Sequence, residues 1–259
     1  LSCYCKANLE ADCKAFRELL RLLRDYDGDT QTVYAVQVEN EPGNISGTSR
    51  DFSPEADAVF QGSVPEYVLS YAQAHPGRPL HDAWVKGGSR TSGAWTEVFG
   101  RLGPEYFQAH AVASYIDEVA RQGKEEYDLF MYINVWLDGF TWDLPGLDYP
   151  AGGAVPRSVD VWRATMRSLD TIAPDIYFPT RSDYLRFCDV YSQDGFALYI
   201  PESSATSQNY SCMFYAVGAC GGVGIHIFGI EDMIDDEGRV RPECEPCARS
   251  FRILSAAAP

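Results

Sequence analysis

Short segments rich in β-branched residues alternate along this chain with segments whose apolar residues recur at helical spacing. The strand-like segments are residues 32–41, 129–136, 171–178, 196–200 and 223–230. Helical spacing covers residues 8–28 before the first strand, and returns at 104–123, 158–169, from Ser182 onward and at 207–220. Because alternating strands and helices favour parallel pairing, the pattern predicts an α/β fold with a parallel sheet covered by helices.

The chain has 259 residues, and domains of this size usually either split or form a barrel. No internal repeat is visible beyond the alternation itself, so we expect one domain over residues 1–259. Residues 42–103 are rich in Gly, Pro, Ser and Asp and are predicted to form an elaborated loop beyond the first strand. Residues 233–259 are predicted to be a tail that contains cysteines.

The charge balance narrows the choice of partners. Thirty-seven acidic residues against 21 basic ones give a net charge of −16. A surface this anionic repels the phosphate backbone of nucleic acids and anionic lipid headgroups, so neither is an expected partner. The longest nearly apolar stretch, residues 217–230, is too short to span a bilayer.

Eight cysteines lie towards the two ends of the chain, with none between Cys13 and Cys188. The pairs Cys3/Cys5 and Cys244/Cys247 supply only part of a zinc-ligand pattern, so we expect no metal and favour disulfides that tie the tail to the rest of the domain. Two glycosylation sequons, which begin at Asn44 and Asn209, favour an extracellular or secreted protein. The chain opens without Met and without a signal pattern, so we expect that it begins within a longer protein.

Several catalytic motifs are absent from the sequence: GxSxG, HExxH, GxxxxGK, and GxGxxG after a strand. Their absence argues against a serine hydrolase, a zinc protease, a P-loop enzyme and a dinucleotide-binding enzyme. The four histidines stand apart in sequence and are expected to be structural. No cofactor is expected.

Carboxylates remain as candidate catalytic groups. Glu41 ends the first predicted strand and Glu202 ends the fourth, and active sites of barrel enzymes form at the carboxyl ends of strands. A single Glu at a strand end is often a helix cap or a solvated charge. Two at equivalent positions suggest glycoside hydrolysis, in which one carboxyl group protonates the leaving oxygen and the other attacks the anomeric carbon or activates water.

Two segments resemble motifs of a known family. Residues 36–43 (VQVENEPG) are similar to the acid/base motif on the fourth strand of clan A glycoside hydrolases, particularly family-35 β-galactosidases. Residues 199–202 (YIPE) resemble the seventh-strand nucleophile motif of the same enzymes. The resemblance extends over residues 134–136, 148–153, 173–177 and 228–232, and so across most of the chain.

This resemblance implies a (β/α)8 TIM barrel and a retaining hydrolase that releases terminal β-linked galactose by double displacement. It makes Glu41 the acid/base, Glu202 the nucleophile and Asn40 a hydrogen-bond donor to the sugar 2-hydroxyl. The substrate would be a carbohydrate. Two alternatives stay open: a clan A enzyme with another glycone, such as glucose or fucose, and a non-catalytic carbohydrate-binding remnant.

Further site residues follow from the same resemblance. Tyr177 corresponds to the tyrosine that donates a hydrogen bond to the nucleophile, although it could equally be an aromatic residue at the rim. Asn134 and Trp136 end the second predicted strand, where one could bind the sugar and the other could stack on it or pack in the core. Glu39 is the alternative candidate for the acid/base. We expect it to lie about 7 Å deeper than Glu41, in a packed layer where it orients its neighbours.

The chain departs from the family pattern at its beginning. The family's acid/base follows three strand-helix units, whereas only one helix precedes Glu41 here. We therefore expect an incomplete barrel in which strands four to eight are present and strands one to three are absent from this chain. The strands at residues 32–41 and 223–230 would then have open edges.

Overall fold

The computed structural model describes residues 2–137, 144–178, 180–205 and 209–257. Contacts divide the chain into two compact units, Leu1–Asp170 and Thr171–Pro259.

Unit 1 contains two strands and the helices that precede and follow them. Its elements are α1 (Lys6–Asp27), β1 (Ala35–Glu39), α2 (Pro54–Phe60), α3 (Glu66–Ala74), α4 (Pro79–Lys86), α5 (Trp95–Phe99), α6 (Gly103–Glu126), β2 (Phe130–Trp136) and α7 (Val159–Thr165).

Unit 2 continues the alternation of strands and helices. Its elements are β3 (Thr171–Asp175), α8 (Arg181–Tyr191), β4 (Tyr199–Ile200), α9 (Asn209–Gly218), β5 (Gly224–Ile225) and α10 (Glu245–Ala257).

Helix α1 packs against α6. A Cβ atom at Gly123 would collide with the ring of Phe16, so glycine allows the two helices to approach closely. At the end of α6, Glu126 accepts hydrogen bonds from Arg17 Nε at 2.8 Å and from Arg21 Nε at 2.9 Å. Phe16 of α1 is thus directed onto α6.

Strands β1 and β2 pair in parallel, as the alternation predicts. Every residue from Ala35 to Val38 is only partly buried, whereas β2 is buried from Met131 to Val135. In the sheet, β1 has β2 on one side, and within the described part of unit 1 no strand pairs with its other edge. The open edge expected for this strand is therefore present.

The region of residues 42–103, predicted as an elaborated loop, contains the four short helices α2, α3, α4 and α5. These helices have five to nine residues, so too few turns repeat for the apolar spacing to be evident. Two of them begin with proline, a residue that is common at the first helical position. In a count of composition, however, prolines indicate a loop. Ser53 caps α2 by accepting from the Ala56 N–H at 3.3 Å.

In unit 2, β4 and β5 pair in parallel, with Tyr199 opposite Gly224 and Ile200 opposite Ile225. Thr180, not Ser182, caps α8, since its hydroxyl accepts from the Asp183 N–H. The predicted tail contains α10. All five predicted strands are found, although each is shorter than its sequence pattern.

The eight cysteines are all described and all free, so the expected disulfides are not formed. Cys244 and Cys247 instead pack with Met213, Ile227 and Met233 in an apolar cluster, where a thiol behaves as a small hydrophobic group. Burial raises the pKa of the Cys247 thiol to about 11. Within the described ranges no group of three or more His, Cys, Asp or Glu could hold a metal ion. No helix there is long and apolar enough to cross a membrane.

Candidate active site

The carboxyl end of β1 carries Glu41 on an irregular backbone. Gln37 is opposite Tyr132 of β2 and Glu39 is opposite the next residue, Ile133, so β1 has one extra residue at this point. Such a bulge is common beside active sites because it re-aims the residues that follow. Glu41 itself has a φ of 43°, in the left-handed region that a non-glycine residue rarely occupies.

Asn134 of β2 holds this irregular backbone in place. Its Oδ1 accepts a hydrogen bond from the Glu41 N–H at 2.6 Å, and its Nδ2 donates to Asn40 Oδ1 at 3.1 Å. Gln37 Nε2 donates to the same Asn40 oxygen at 3.0 Å. Asn134 is completely buried. In unit 1 the structure therefore brings together Asn40, Glu41 and Asn134, and substrate binding by Asn134 stays a prediction.

Glu39 does not lie in a packed layer beneath Glu41, contrary to the expectation from simple strand alternation. It is exposed, and with Val38 it lines an open groove of about 260 Å³ against α1 and α6. The bulge between Gln37 and Glu39 breaks the two-residue periodicity on which that expectation depended. Glu39 Oε1 accepts from the Asn40 N–H at 3.1 Å, so it does contact its neighbour.

The chain after Glu41 is fixed to the loop that precedes α7. Asn44 and Ala151 exchange two backbone hydrogen bonds, of 3.0 and 2.9 Å. Gly43 has a φ of 141°, and a Cβ there would lie 2.6 Å from the Pro150 Cβ. Both the backbone angle and the close approach require glycine at residue 43.

In unit 2 the end of β3 meets the end of β4 at Tyr177 and Glu202. The Tyr177 hydroxyl donates to Glu202 Oε2 at 2.7 Å. The Ile176 N–H donates to the Glu202 carbonyl at 2.9 Å, which fixes the two strand ends to each other. This is the contact that the resemblance implies, while the roles of nucleophile and donor stay predictions.

Two buried polar residues support the backbone around Glu202, and sequence reasoning missed their role. Ser203 Oγ donates to the Ile176 carbonyl at 2.9 Å, and Asn209 Nδ2 donates to the same oxygen at 3.1 Å. Asn209 is 1% exposed. The second sequon is therefore inaccessible to a glycan in the folded chain, and its asparagine serves the candidate site instead.

Strand β5 brings an additional polar group beside β4. His226 Nε2 lies 2.9 Å from the Tyr199 hydroxyl, and the His226 N–H donates to the Ile200 carbonyl at 2.8 Å. The Phe228 N–H donates to the Ser203 carbonyl at 3.0 Å. The only signal for this cluster in the sequence was a histidine within an apolar strand, which indicates a structural residue equally well.

Trp136 ends β2 with 44% of its surface exposed, so it is not a core residue in unit 1. The chain that follows Trp136 lies partly outside the described residues, which omit 138–143. The chemistry that these strand ends can offer is that of carboxylates. Glu202 has a phenol hydroxyl against one oxygen, and Glu41 has a backbone pinned by a buried amide.

No protein-family model matches the sequence, and no curated protein matches it significantly. Solved structures do resemble it. The chain shares its fold with a β-amylase catalytic domain. That domain, from Paenibacillus polymyxa, superposes with a TM-score of 0.55 over 100% of this chain and 71% of its own length, at 9% identity. The likeness identifies an α/β fold of helices and parallel strands, and at this identity it shows the fold alone.

Proposed function

We propose that this chain belongs to a retaining glycoside hydrolase that releases terminal β-linked galactose, as the resemblance to family-35 enzymes implies. The observation that carries the proposal is the 2.7 Å hydrogen bond from Tyr177 to Glu202 at the ends of two neighbouring strands. A carboxylate oriented by a fixed hydroxyl donor is suited to attack at an anomeric carbon. The fold shared with a β-amylase catalytic domain supports a carbohydrate substrate.

In the proposed reaction Glu202 attacks the anomeric carbon and forms a glycosyl ester, while the bond to the leaving oxygen breaks. Glu41 gives its proton to that oxygen. Glu41 then takes a proton from water, whose oxygen attacks the anomeric carbon and releases Glu202 and the sugar. Protons and bonds balance over the two steps, and the reaction needs no cofactor.

The bond from the Glu41 N–H to Asn134 supports the role given to Glu41. Catalytic groups work best when neighbouring groups fix their positions, and here a buried amide fixes the backbone from which the carboxylate projects. The side-chain amide of Asn134 also links Glu41 to Asn40, because its oxygen accepts from the Glu41 N–H and its nitrogen donates to Asn40 Oδ1. The proposal assigns Asn40 to binding of the sugar 2-hydroxyl.

Replacing the nucleophile tests the proposal directly. Glu202→Gly should abolish hydrolysis of nitrophenyl β-galactoside, since no covalent intermediate can then form. Added azide should restore part of the activity and yield the α-glycosyl azide. Glu243→Gly removes an exposed carboxylate from the same unit and should leave activity unchanged. Unchanged activity in Glu202→Gly would refute the assignment.

The acid role of Glu41 predicts a dependence on the leaving group. Glu41→Ala should slow hydrolysis of natural oligosaccharides far more than that of dinitrophenyl galactoside, whose leaving group needs no protonation. Equal losses on both substrates would instead make Glu41 structural.

A screen of nitrophenyl glycosides separates the proposed glycone from its alternatives. The β-galactoside should react faster than the β-glucoside, because a buried group that pairs the C4 hydroxyl is left unsatisfied by the wrong epimer. Faster cleavage of the glucoside or fucoside would assign another glycone. Binding of galactose without any hydrolysis would favour a non-catalytic remnant. Secretion is part of the proposal, supported by the sequon at Asn44.

A further inference from the structure

Unit 1 contains a cavity of about 500 Å³ within its helical region. It is formed by α4, the end of α5, the turn at residues 100–102, the first turn of α6 and Arg157. Its apolar wall comes from Pro79, Ala83, Phe99 and Tyr106. Cavities that bind small molecules have this size and this apolar character.

Basic side chains surround the opening of this cavity. Lys86 and Arg101 line it, both are exposed, and neither forms a salt bridge with any described residue. Arg157 lies deeper and is held by the buried Glu105, with 3.3 Å between Nε and Oε1. Among the described residues that line the cavity, Asp82 is the one carboxylate. A local excess of positive charge is unusual in a chain with a net charge of −16.

The walls of the cavity are fixed by close backbone contacts. A Cβ at Gly87 would collide with the Val98 carbonyl, and a Cβ at Gly103 would lie 2.6 Å from the Trp95 carbonyl. The Tyr106 hydroxyl donates to the Pro79 carbonyl at 3.3 Å. The cavity is therefore a preformed feature of unit 1, which reduces the entropic cost of binding a ligand there.

We propose that this cavity binds a small organic anion. The ring of such a ligand would lie against Phe99, Ala83 and Pro79, and its carboxylate, sulfate or phosphate group would lie between Lys86 and Arg101. Hydrogen bonds between charged donors and an oxyanion are about twice as strong as neutral ones, so the two cations select for the anion. A polymeric phosphate is excluded because the rest of the chain repels it.

Titration calorimetry with ring compounds tests the proposal and identifies the anion. The probes are benzoate, phenyl sulfate and phenyl phosphate, with benzamide as the neutral match. At least one anion should bind at least tenfold more tightly than benzamide, and its affinity should fall on addition of salt because the basic rim is solvent-exposed. Failure of all three anions to bind at millimolar concentration, or equal binding of benzamide, would overturn the proposal.

Substitutions then locate the site. Arg101→Gln and Lys86→Gln should each weaken binding of that anion about tenfold without changing the melting temperature, since both side chains are exposed. Arg90→Gln makes the same change in charge at an exposed arginine outside the cavity lining, and should change the affinity less than twofold. An equal loss in Arg90→Gln would show general charge attraction and refute a defined site.

Discussion

The hydroxyl of Tyr177 restricts how the carboxylate of Glu202 can rotate, because it donates to one of the two carboxylate oxygens at 2.7 Å. Tyr177 is 43% exposed, so its ring lies at the surface of unit 2. A hydrogen bond to a charged group contributes about 1.5–3 kcal/mol. The Tyr177 hydroxyl oxygen therefore contributes to the orientation of the proposed nucleophile.

Removing that oxygen gives the first prediction. Tyr177→Phe should lower kcat for nitrophenyl β-galactoside by about tenfold to a hundredfold, the equivalent of about 1.5–3 kcal/mol in barrier height. Steady-state kinetics measures the effect.

Unit 2 offers a matched control for this substitution. Tyr215 also donates its hydroxyl to a carboxylate, Asp189 Oδ1, at 2.5 Å. Tyr215→Phe should leave kcat unchanged. If both variants lost activity equally, the effect would be a general one on unit 2 and not an effect on Glu202.

The burial of His110 is expected to make the stability of the fold depend on pH. Its Nδ1 is buried without a hydrogen-bond partner among the described residues, and its Nε2 lies 2.6 Å from the Tyr67 hydroxyl. Burial lowers its pKa from 6.5 to about 4, because the charged imidazolium is poorly solvated there.

The sign of this shift predicts acid sensitivity. Between about pH 6.5 and pH 4, His110 is protonated in the unfolded chain but stays neutral in the folded chain. The free energy of unfolding therefore falls as the pH is lowered through this range. The contribution of His110 is at most about 3 kcal/mol. Urea denaturation between pH 7 and 4 should show a smaller loss for His110→Gln than for the unchanged chain. Parallel curves would contradict the burial of His110 as the cause.

At the scale of elements, the loop before α7 connects the chain after Glu41 to α6 and α7. Gly152 has a φ of 93°, and a Cβ there would lie 2.8 Å from both Gln108 Cγ and Val112 Cγ2 of α6. The Gly152 carbonyl accepts from Trp162 Nε1 at 2.9 Å. Close packing of this loop against α6 therefore requires a residue without a side chain at position 152.

Gly152→Ala should lower the free energy of unfolding by about 2 kcal/mol or more, since it adds a left-handed strain of about 1–2 kcal/mol to the steric overlap. Thermal or urea denaturation measures the loss. Gly218→Ala is the control, because a Cβ at Gly218 meets nothing within 4 Å and alanine suits the end of α9. Equal effects of the two substitutions would argue against the overlap at Gly152.

The elements also show what the sequence could predict. Strands and long helices were predictable because β-branched runs and apolar spacing persist over enough residues, as in α1 and α6. The bulge after Gln37 was not, since it depends on pairing with β2 and leaves no mark in composition. The hydrogen bond between Tyr177 and Glu202 could be predicted only from the resemblance to the family. The support from Ser203 and Asn209 required the fold, because small polar residues at strand ends are common.

At the scale of the whole molecule, the charge of −16 opposes self-association while the open edge of β1 favours it. An unpaired strand edge offers backbone donors and acceptors to another copy. Repulsion between copies is screened by salt, since the Debye length falls from about 10 Å at 0.1 M to about 3 Å at 1 M. The balance between the two should therefore change with ionic strength.

Residues 1–259 should associate more strongly as salt is raised, as measured by sedimentation. Tyr34, 65% exposed and next to β1, is a position where a charge should protect the edge. Tyr34→Lys should reduce the association severalfold, whereas Tyr26→Lys, at an 83% exposed position at the end of α1, should not. A monomer at every salt concentration would show that the edge of β1 is not a site of association.

The left-handed backbone of Glu41 implies a conflict between function and folding stability. Only glycine occupies a φ of 43° without penalty, so a glutamate there costs the native state of the whole molecule about 1 kcal/mol. Glu41→Gly should then lose the proposed acid/base and yet melt at a higher temperature than the unchanged chain, whereas Glu41→Ala, which keeps a Cβ, should not. An inactive protein would be the better folded one, which identifies residue 41 as a position where activity outweighs stability.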